Sequence, residues 1–584
     1  MKKTKIVCTI GPASESRELF SDLVKAGLNV ARLNFSHGTQ EEHLVRINMI
    51  KSVREELGEP VAILLDTKGP EIRLGKFAEP VELAEGSTYT LTTDEYLGDA
   101  QKCTVSYKGL PQDVEIGDKI LIDDGLVELE VIEAPTHNEI KCQVNNSGVI
   151  KSNKGVNVPG VKINLPALTA KDISDIEFGI AQGIDFIAAS FIRKAADVLA
   201  IREILERNDA YDIHIISKIE NQEGVDNLDE IIRVSDGLMV ARGDLGVEIP
   251  AERVPLEQKN MINKCNMAGK PVITATQMLD SMMRNPRPTR AETTDVANAI
   301  FDGTDAIMLS GETAAGKYPL ESVETMATIA YTAEEAIDYE AVMMSLRKKR
   351  VDDVTYAVSH ATVTTAMDLK ASAIIAATAS GFTARKISEN RPSSLIIAAC
   401  TDEAVRRKLA LVWGVYSFII PSEETTEAIF DESLAKARAL NYIKEGEIVI
   451  ITAGVPVGVA GATNLMKVHL VGEILMKGLG IGKEVISANV CLASDGDEAR
   501  QKMVDGNILV AYATDKDMMD SVARASALIV EEGGYTSHAA IVALNLNKPV
   551  IVGATDAMKV FKDGQLVTLD SEKGIIYAGK TRVL

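Results

Sequence analysis

Polar and charged side chains stand where short apolar runs of the chain end. Six runs end in this way. The residues concerned are Asn34 and Ser36, Asp66 and Thr67, Lys218 and Glu220, Gly243 and Asp244, Thr276, and Ser310. A single residue of this kind is usually a solvated surface charge. Six polar run ends in one chain instead indicate a common functional site.

The oxygen-bearing side chains in this set favour metal ions that prefer oxygen ligands. Glu220 and Asp244 supply the hard carboxylate oxygens that Mg²⁺ prefers, and no cluster of His or Cys accompanies them to suggest zinc. A second set offers neutral oxygens with a single carboxylate, which suits a monovalent cation better than a divalent one. Its members are Asn34, Ser36, Asp66 and Thr67.

Four basic residues provide the positive charge that a polyanionic substrate or a phosphoryl group in transfer requires. They are Arg32, Arg73, Lys154 and Lys218. The set therefore predicts phosphoryl transfer, in which positioning and charge neutralisation supply most of the catalysis. The sequence has no GxxxxGK[ST] motif, and the run Gly243 to Gly246 is too short for a dinucleotide fingerprint. A nucleotide must therefore bind in another way.

The apolar runs that carry these residues predict eight strands of a TIM (β/α)₈ barrel. Most of them are almost continuously apolar, as parallel strands buried on both faces should be, and helical patterns lie between them. The predicted strands are Lys5 to Ile10, Asn29 to Phe35, Ala62 to Asp66, Phe186 to Phe191, His214 to Glu220, Gly237 to Val240, Pro271 to Thr276 and Asp305 to Leu309. Residues at the carboxyl ends of barrel strands meet at one mouth, where such barrels hold their active sites.

Three further regions complete an α/β chain of four parts. Residues 71–166 interrupt the barrel (1–70 and 167–330) with period-two alternation and a hairpin signal at 121–127, which predicts a small all-β lid. Residues 331–472 alternate helix and strand and predict a doubly wound α/β domain. Residues 473–584 have an αβ pattern of their own and predict a separate C-terminal domain.

Length and composition set wider bounds on function. The 584 residues suggest about four domains. A formal charge of −22 and only 4% aromatic residues argue against nucleic-acid binding. The six cysteines show no CxxC spacing, and the first apolar run is too short for an export signal, so we expect a reducing cytoplasm and no membrane partner.

Five sequence runs resemble pyruvate kinases very specifically. They are 29–38 (NVARLNFSHG), 65–73 (LDTKGPEIR), 216–221 (ISKIEN), 239–246 (MVARGDLG) and 273–279 (ITATQML). The resemblance covers residues 1 to about 472 and agrees with the domain order above. It implies transfer of the phosphoryl group of phosphoenolpyruvate to ADP, cytoplasmic glycolysis, and a homotetramer. It also implies Mg²⁺, with Mn²⁺ as an alternative, and K⁺ as cofactors.

The resemblance assigns roles residue by residue. Glu220 and Asp244 would hold Mg²⁺, and Lys218 would neutralise the phosphoryl group. Substrate would contact Arg32, Lys218, Gly243, Asp244 and Thr276, and either Thr276 or Ser310 would serve in protonation of the enolate. The nucleotide-binding set would be Asn34, Phe35, Ser36, His37, Arg73 and Lys154. K⁺ would bind Asn34, Ser36, Asp66 and Thr67. Because K⁺-independent pyruvate kinases typically carry a lysine where Glu71 stands, K⁺ dependence is expected.

A loop of hydroxyl groups and glycine in the α/β domain, 378–384 (TASGFTA), precedes a predicted helix. Hydroxyls and backbone N–H groups at a helix start can bind an anion, although a simple capped turn would show the same residues. The resemblance implies an effector loop for a phosphorylated metabolite, with Thr378, Ser380, Gly381 and Thr383 as ligands. The resemblance also implies further contributors nearby: Arg385, Lys386, Arg391 and the loop Thr452 to Gly458.

The C-terminal region resembles the mobile phosphohistidine domain of phosphoenolpyruvate-utilising enzymes. The matching run is 531–543 (EEGGYTSHAAIVA), which makes His538 the candidate phosphohistidine. The usual cysteine before the two glycines is Glu532 here, which favours a structural or regulatory appendage. Two alternatives remain open: a dikinase-like enzyme, which would need a nucleotide-grasp domain, and a binding protein, which would be expected to lose catalytic residues such as Lys218.

Overall fold

The computed structural model describes the chain except for residues 348–353, 424, 455–462, 473 and 582–584. The chain forms two compact units. The first contains residues 1–352 together with 388–391 and 402–419, and the second contains the remaining residues. The predicted boundaries of the four domains stay predictions.

Eight parallel strands of the first unit close into a barrel, which confirms the predicted fold class. Each pairs with the strands before and after it, and the last pairs with the first. The strands are β1 (Lys5–Thr9), β2 (Val30–Asn34), β3 (Ala62–Asp66), β4 (Phe186–Ala189), β5 (His214–Ile219), β6 (Gly237–Ala241), β7 (Val272–Ala275) and β8 (Ala306–Leu309).

Helices surround the barrel and bury their apolar faces against it. Thr39, Thr169 and Thr289 begin three of them with complete capping boxes, which satisfy the first N–H groups of each helix. The helices are Arg17–Ala26, Gln40–Leu57, Ala170–Ala181, Ala195–Arg207, Gln222–Asp226, Leu228–Val234, Arg242–Glu248, Val254–Ala268, Arg290–Phe301, Gly311–Ala314, Pro319–Glu335 and Tyr339–Arg347, with 3₁₀ turns at Ala251–Arg253 and Asp280–Met283.

A repeated hydrogen bond ties the strands together at the base of the barrel. The side chain of the residue just before each even-numbered strand accepts a backbone N–H from the odd-numbered strand that precedes it. The four bonds run from Ile6 to Asn29 (3.0 Å), Ile63 to Asp185 (2.9 Å), Ile215 to Asp236 (2.8 Å) and Val272 to Asp305 (3.0 Å). This ring fixes strand register at the end opposite the polar residues of interest.

A segment distant in sequence closes the same base. It comprises the helix Glu403–Lys408, a 3₁₀ turn Leu409–Leu411 and the strand Val415–Ile419. Leu411 is fully buried in the cluster that fills the barrel interior. Arg407 Nε donates to Asp185 at 2.8 Å, and Arg391 Nη1 lies 3.0 Å from Asp305. Arg391, considered above as an effector contact, is thus engaged at the barrel.

The insertion between β3 and β4 is an all-β lid with its own apolar core, as predicted. Asp123, Asp124 and Gly125 all have positive φ in its hairpin turn. Its strands are Ile72–Arg73, Val81–Leu83, Thr88–Thr92, Lys102–Thr104, Lys119–Ile122, Val127–Val131, Glu139–Val144, Gly148–Ile150 and Gly155–Asn157, with one short helix, Leu110–Asp113.

The second unit contains two sheets with helices. In the first, Ala373–Ala377 lies between the parallel strands Leu395–Cys400 and Ile448–Ala453, and Leu465–Leu470 adds an antiparallel edge. The second sheet runs in the order Ile474–Lys477, Ile575–Ala578, Leu566–Asp570, Val485–Leu492, Ile508–Ala511, Ala527–Val530, Val550–Val552 and Leu479–Ile481. The helices are Val354–Asp368, Phe382–Ser388, Thr426–Ala439, Gly496–Lys502, Met519–Arg524, His538–Asn545 and Ala557–Val560, with a 3₁₀ turn at Lys516–Met518. Among the described helices of the chain, none is long and apolar enough to cross a bilayer.

Candidate active site

Lys218 is the centre of a buried polar cluster at the carboxyl ends of the barrel strands. Its Nζ lies 3.1 Å from Asp66 Oδ1, 2.9 Å from Glu220 Oε1 and 2.8 Å from Ser190 Oγ. Asp66 ends β3, and Ser190 and Glu220 directly follow β4 and β5. Parallel strand order therefore brings these four residues together.

Arg32 adds a second cation to this cluster. Its Nε donates to Asp66 Oδ2 at 2.6 Å, and one Nη donates to Thr9 Oγ1 at 2.7 Å. Arg32 is only 8% exposed and Asp66 is fully buried. Asp66 thus holds both Arg32 and Lys218 through its two carboxylate oxygens, with one cation on each.

The electrostatics of the cluster follow from burial and close pairing. Burial raises the pKa of Asp66, but the charges of Arg32 and Lys218 outweigh it and the net pKa is below the ordinary value. Burial lowers the pKa of Lys218, but Asp66 and Glu220 outweigh it and leave the pKa well above its ordinary value. Lys218 is therefore a cation at neutral pH in a charged site that is shielded from solvent.

Glu220 is the second carboxylate of the cluster. It is 1% exposed, and Phe191 donates its backbone N–H to Glu220 Oε2 at 2.6 Å. Burial raises the pKa of Glu220, and the nearby charge of Asp244 acts in the same direction. Asp244 stands in the first turn of helix Arg242–Glu248 and is open to solvent.

These two carboxylates fit a hard divalent cation. Mg²⁺ is commonly bound by one or two carboxylates and completes its coordination with substrate oxygens and water. Within the described ranges, no group of three His, Cys, Asp or Glu forms a metal site alone. Glu220 and Asp244 are thus two carboxylates that would hold such an ion, with substrate oxygens and water as its remaining ligands.

Thr276 lies in a strained turn after β7. Its φ is +66° and that of Gln277 is +56°, both unusual for residues with a side chain. Arg242 holds this turn by donating to Thr276 O at 2.7 Å, and Asp295 pairs with Arg242 at 2.7 Å. Gly243 donates its N–H to Thr276 Oγ1 at 2.8 Å. The structure thus brings Gly243 and Thr276 together.

Ser310 follows β8. Its backbone N–H donates to Glu312 Oε2 at 2.8 Å, and the same carboxylate accepts the N–H of Leu279 at 3.1 Å through its other oxygen. The hydroxyl oxygen of Ser310 is buried and has no hydrogen-bond partner among the described residues. A buried unpaired hydroxyl is uncommon and is expected where a ligand or water completes the site.

The loop after β2 carries the sequence-predicted nucleotide residues. Asn34 accepts the N–H of Ser36 at 3.1 Å and pairs in register with Asp66. Lys171 Nζ donates to the carbonyl of Phe35 at 2.9 Å. His43 Nε2 lies 2.9 Å from the carbonyl of His37. The structure therefore places Asn34 beside Asp66. Lys171 and His43 hold the loop through the carbonyl groups of Phe35 and His37.

The other two predicted nucleotide residues lie side by side in the lid. Arg73 pairs with Glu71 at 2.5 Å, and Lys154 pairs with Asp123 at 2.5 Å. Gly155 stands opposite Arg73 in the sheet. A cavity of about 190 Å³ is lined by residues of the lid, including Glu71, and by residues of the barrel mouth, including Asp244. Their sequence neighbours Ile72 and Gly155 line this cavity, whereas Arg73 and Lys154 themselves do not.

Three site residues escaped sequence reasoning: Ser190, Phe191 and Arg242. The predicted fourth strand ran through Phe191, which treated Ser190 as a strand residue. In the structure β4 ends at Ala189, and Phe191 has φ +55°. The sequence could have revealed Ser190, because it is a polar residue that directly follows an apolar run, as the other site residues do.

The predicted effector residues lie in the second unit, at the start of helix Phe382–Ser388. Thr378 follows strand Ala373–Ala377, and Gly381 has φ +75°. Thr383 Oγ1 lies 2.9 Å from Thr463 Oγ1. Arg385 donates to the carbonyl of Ser380 at 3.3 Å. Thr378, Ser380 and Gly381 lie in one strand-to-helix loop, and Thr383 lies in the first turn of the helix. Residues 455–458 of the predicted contributor loop Thr452 to Gly458 lie outside the described residues.

His538 begins the helix His538–Asn545 of the second unit and is exposed. Its Nδ1 lies 3.0 Å from Thr514 Oγ1. Ser537 caps the helix by accepting the N–H of Ala540. Of the two ring nitrogens, Nε2 has no hydrogen bond to any described residue.

Comparison with known proteins decides the family. Residues 1–323 match the pyruvate kinase barrel domain, and residues 356–469 match the pyruvate kinase alpha/beta domain. The chain belongs to the pyruvate kinase family. Pyruvate kinases of Geobacillus stearothermophilus and Bacillus licheniformis are 56% and 55% identical to it, each over 100% of both chains. The prediction of a pyruvate kinase enzyme is therefore confirmed.

The structural comparison agrees with this family. A crystal structure of a pyruvate kinase from Cryptosporidium parvum is 43% identical, with a TM-score of 0.77, covering 80% of this chain and 96% of that one. Residues 503–574 match the mobile domain of PEP-utilising enzymes. The pyruvate kinase fold is thus joined to a C-terminal domain of the predicted kind.

Proposed function

We propose that the chain transfers the phosphoryl group of phosphoenolpyruvate to ADP, giving pyruvate and ATP in the last step of glycolysis. The observation that carries this proposal is the buried cluster of Lys218, Arg32, Asp66 and Glu220 at the barrel mouth. It places two fixed cations beside two carboxylates in a site where charge neutralisation is strong.

Lys218 and Arg32 would act on the phosphoryl group. The bond between phosphorus and the enolate oxygen breaks, its electron pair stays on that oxygen, and a bond forms to an oxygen of the β-phosphate of ADP. The fixed cations offset the negative charge that develops during transfer, and they require no rearrangement to do so. Catalysis of this kind depends on the position of Lys218 more than on its acidity.

Glu220 and Asp244 would hold Mg²⁺ or Mn²⁺, which supplies Lewis-acid neutralisation of substrate oxygens. The backbone around Gly243 and Asp244, with Thr276, would bind the substrate carboxylate. The enolate left after transfer takes a proton at carbon and becomes pyruvate. Thr276 and Ser310 are the candidates for supplying that proton, and the buried hydroxyl of Ser310, which has no hydrogen-bond partner among the described residues, supports Ser310.

K⁺ would bind Asn34, Ser36, Asp66 and Thr67. Asn34 and Asp66 are register partners at adjacent strand ends, which supports a shared site. The nucleotide would lie between the loop Asn34 to His37 and the lid cations Arg73 and Lys154. Both cations have carboxylate partners that an incoming phosphate would have to displace.

Regulation and assembly extend this proposal. The loop carrying Thr378, Ser380, Gly381 and Thr383 would bind a phosphorylated effector, and the chain would act as a cytoplasmic homotetramer. The six cysteines are buried and form no disulfide among the described residues, which suits a reducing compartment. Titration of sugar phosphates and AMP at low phosphoenolpyruvate tests the effector loop, and no response to any of them would contradict it.

A second candidate activity is phosphate transfer through a phosphohistidine at His538. The contact of Nδ1 with Thr514 leaves Nε2 as the nitrogen able to accept phosphate. Against it, Glu532 stands where the usual cysteine would be, and the barrel is proposed to pass phosphate directly to ADP, so we favour a structural or regulatory domain. Incubation with labelled phosphoenolpyruvate would decide, since an acid-labile label that His538→Ala removes would establish the phosphohistidine.

The direct test of the main activity is pyruvate formation by the purified chain. Pyruvate should appear with phosphoenolpyruvate, ADP, Mg²⁺ and K⁺ together, and omission of ADP should abolish it. Pyruvate formation that requires AMP and pyrophosphate instead would favour the dikinase-like alternative.

A further inference from the structure

Ser190 is a buried residue at the point where β4 ends, and its hydroxyl touches three groups of the candidate active site. Ser190 Oγ lies 2.6 Å from the carbonyl oxygen of Thr67, 2.8 Å from Lys218 Nζ and 3.2 Å from Asp66 Oδ1. Ser190 is 5% exposed. No role was assigned to it from the sequence.

The number of hydrogens that each group carries determines the direction of these hydrogen bonds. A serine hydroxyl has one hydrogen, and a carbonyl oxygen can only accept. The shortest contact is the one to Thr67 O, so the hydroxyl hydrogen is used there. An ammonium group can only donate, so Lys218 donates to the oxygen of Ser190. Ser190 is therefore an oriented acceptor.

The ammonium group of Lys218 has three hydrogens, and three acceptors surround it. They are Asp66, Glu220 and Ser190, at 3.1, 2.9 and 2.8 Å. Because we propose Glu220 as a metal ligand, Asp66 and Ser190 are the two acceptors left to hold Lys218. The third N–H can then point toward a transferring phosphoryl group.

The backbone around Ser190 is itself held tightly. Its N–H donates to Thr67 Oγ1 at 3.1 Å, and the next N–H, of Phe191, reaches Glu220. Gly69 packs directly against this turn, since a Cβ there would lie 2.7 Å from Phe191 Cδ2 and 3.0 Å from Ser190 Cβ. One turn thus orients both Lys218 and Glu220.

We propose that Ser190 is a positioning residue that orients the ammonium group of Lys218 for phosphoryl transfer. This role rests on the proposed function of Lys218. Ser190 need not touch substrate, so its effect should fall on kcat and leave nucleotide binding nearly unchanged.

The test is a double-mutant cycle with Ser190→Ala and Lys218→Met in the full chain. Ser190→Ala removes a hydrogen bond from a charged donor and should lower kcat by about ten- to a hundredfold, with KM for ADP nearly unchanged. In the Lys218→Met background the same change should have less than about a twofold effect, because the partner is already gone. Ser190→Cys retains a weak acceptor and should give an intermediate kcat.

Ser217→Ala is the matched control. Ser217 precedes Lys218 in β5 and is fully buried, but its hydroxyl contacts Ser235 at 2.6 Å instead. It should leave kcat within about threefold of wild type. Near-wild-type kcat in Ser190→Ala, an equal loss in the Lys218→Met background, or an equal loss in Ser217→Ala would each overturn the proposal. An inactive wild-type chain would instead contradict the proposed function itself.

Discussion

The ammonium nitrogen of Lys218 lies 2.9 Å from a carboxylate oxygen of Glu220. The proposed phosphoryl-neutralising group and the proposed metal ligand are therefore direct neighbours in a buried site. Any change in the protonation of Glu220 alters both, because the two groups share one local balance of charge.

Binding of the divalent metal should strengthen as pH rises. Burial raises the pKa of Glu220, so a larger fraction of it is protonated near neutral pH, and a protonated carboxyl must lose its proton to bind metal. Calorimetric titration with Mn²⁺ should show proton release and tighter binding at pH 8 than at pH 6. Desolvation also raises the pKa of Asp244, which adds to the same pH dependence.

Glu248 provides the control for the metal prediction. It is a carboxylate that lines the cleft together with Asp244, burial also raises its pKa, and it accepts a hydrogen bond from Asn157 at 2.7 Å. Glu220→Gln should abolish most metal-linked proton release, and Glu248→Gln should retain it. Identical proton release in both variants would refute the assignment of Glu220 as a ligand.

Activity should depend on K⁺. Glu71 pairs with Arg73 and adds no cation to the site, so a bound ion must supply the missing charge. Steady-state rates in a tetramethylammonium buffer free of K⁺ and Na⁺ should rise by at least about tenfold when K⁺ is added.

Substitution of Glu71 separates two explanations of that dependence. Glu71→Lys should raise the rate without K⁺, since its ammonium brings a charge, and Glu71→Gln should not. Equal rates of the wild-type chain with and without K⁺ would exclude a K⁺ requirement.

Gly69→Ala should lower both stability and kcat. Gly69 has φ +71° and no room for a Cβ against Ser190 and Phe191. Strain and overpacking together should cost about 1–3 kcal/mol, seen as a lower Tm, and displacement of the turn should reduce kcat. Gly183→Ala is the control, because it has a similar φ of +60° with nothing within 4 Å. Equal kcat in the two variants would show that the turn does not position Lys218 or Glu220.

Local pattern was enough to predict the barrel strands. Residues Ala62–Asp66 form a strand with the predicted bounds, and the other seven differ by only a residue or two at their ends. Nearly continuous apolar runs have few alternatives once both faces must be buried. The same logic located Lys218 and Glu220, because a barrel brings all strand ends to one mouth.

The rest of the fold and of the site depends on contacts between residues distant in sequence, which the local sequence pattern does not encode. The predicted fourth strand continues to Phe191, yet β4 stops at Ala189, because Phe191 turns to φ +55° and donates its N–H to Glu220. Leu411 fills the barrel from a segment more than a hundred residues beyond β8. Net charge was also uninformative about the site, since Arg32 and Lys218 act locally within a chain of charge −22.

The central claim is that Lys218, held among Asp66, Glu220 and Ser190, carries phosphoryl transfer from phosphoenolpyruvate to ADP. The most direct measurement is pyruvate formation by Lys218→Met beside the wild-type chain, with Mg²⁺ and K⁺ saturating and folding checked by circular dichroism. We predict that kcat falls by at least about a hundredfold with the fold intact. A folded Lys218→Met variant with kcat close to wild type would contradict the account.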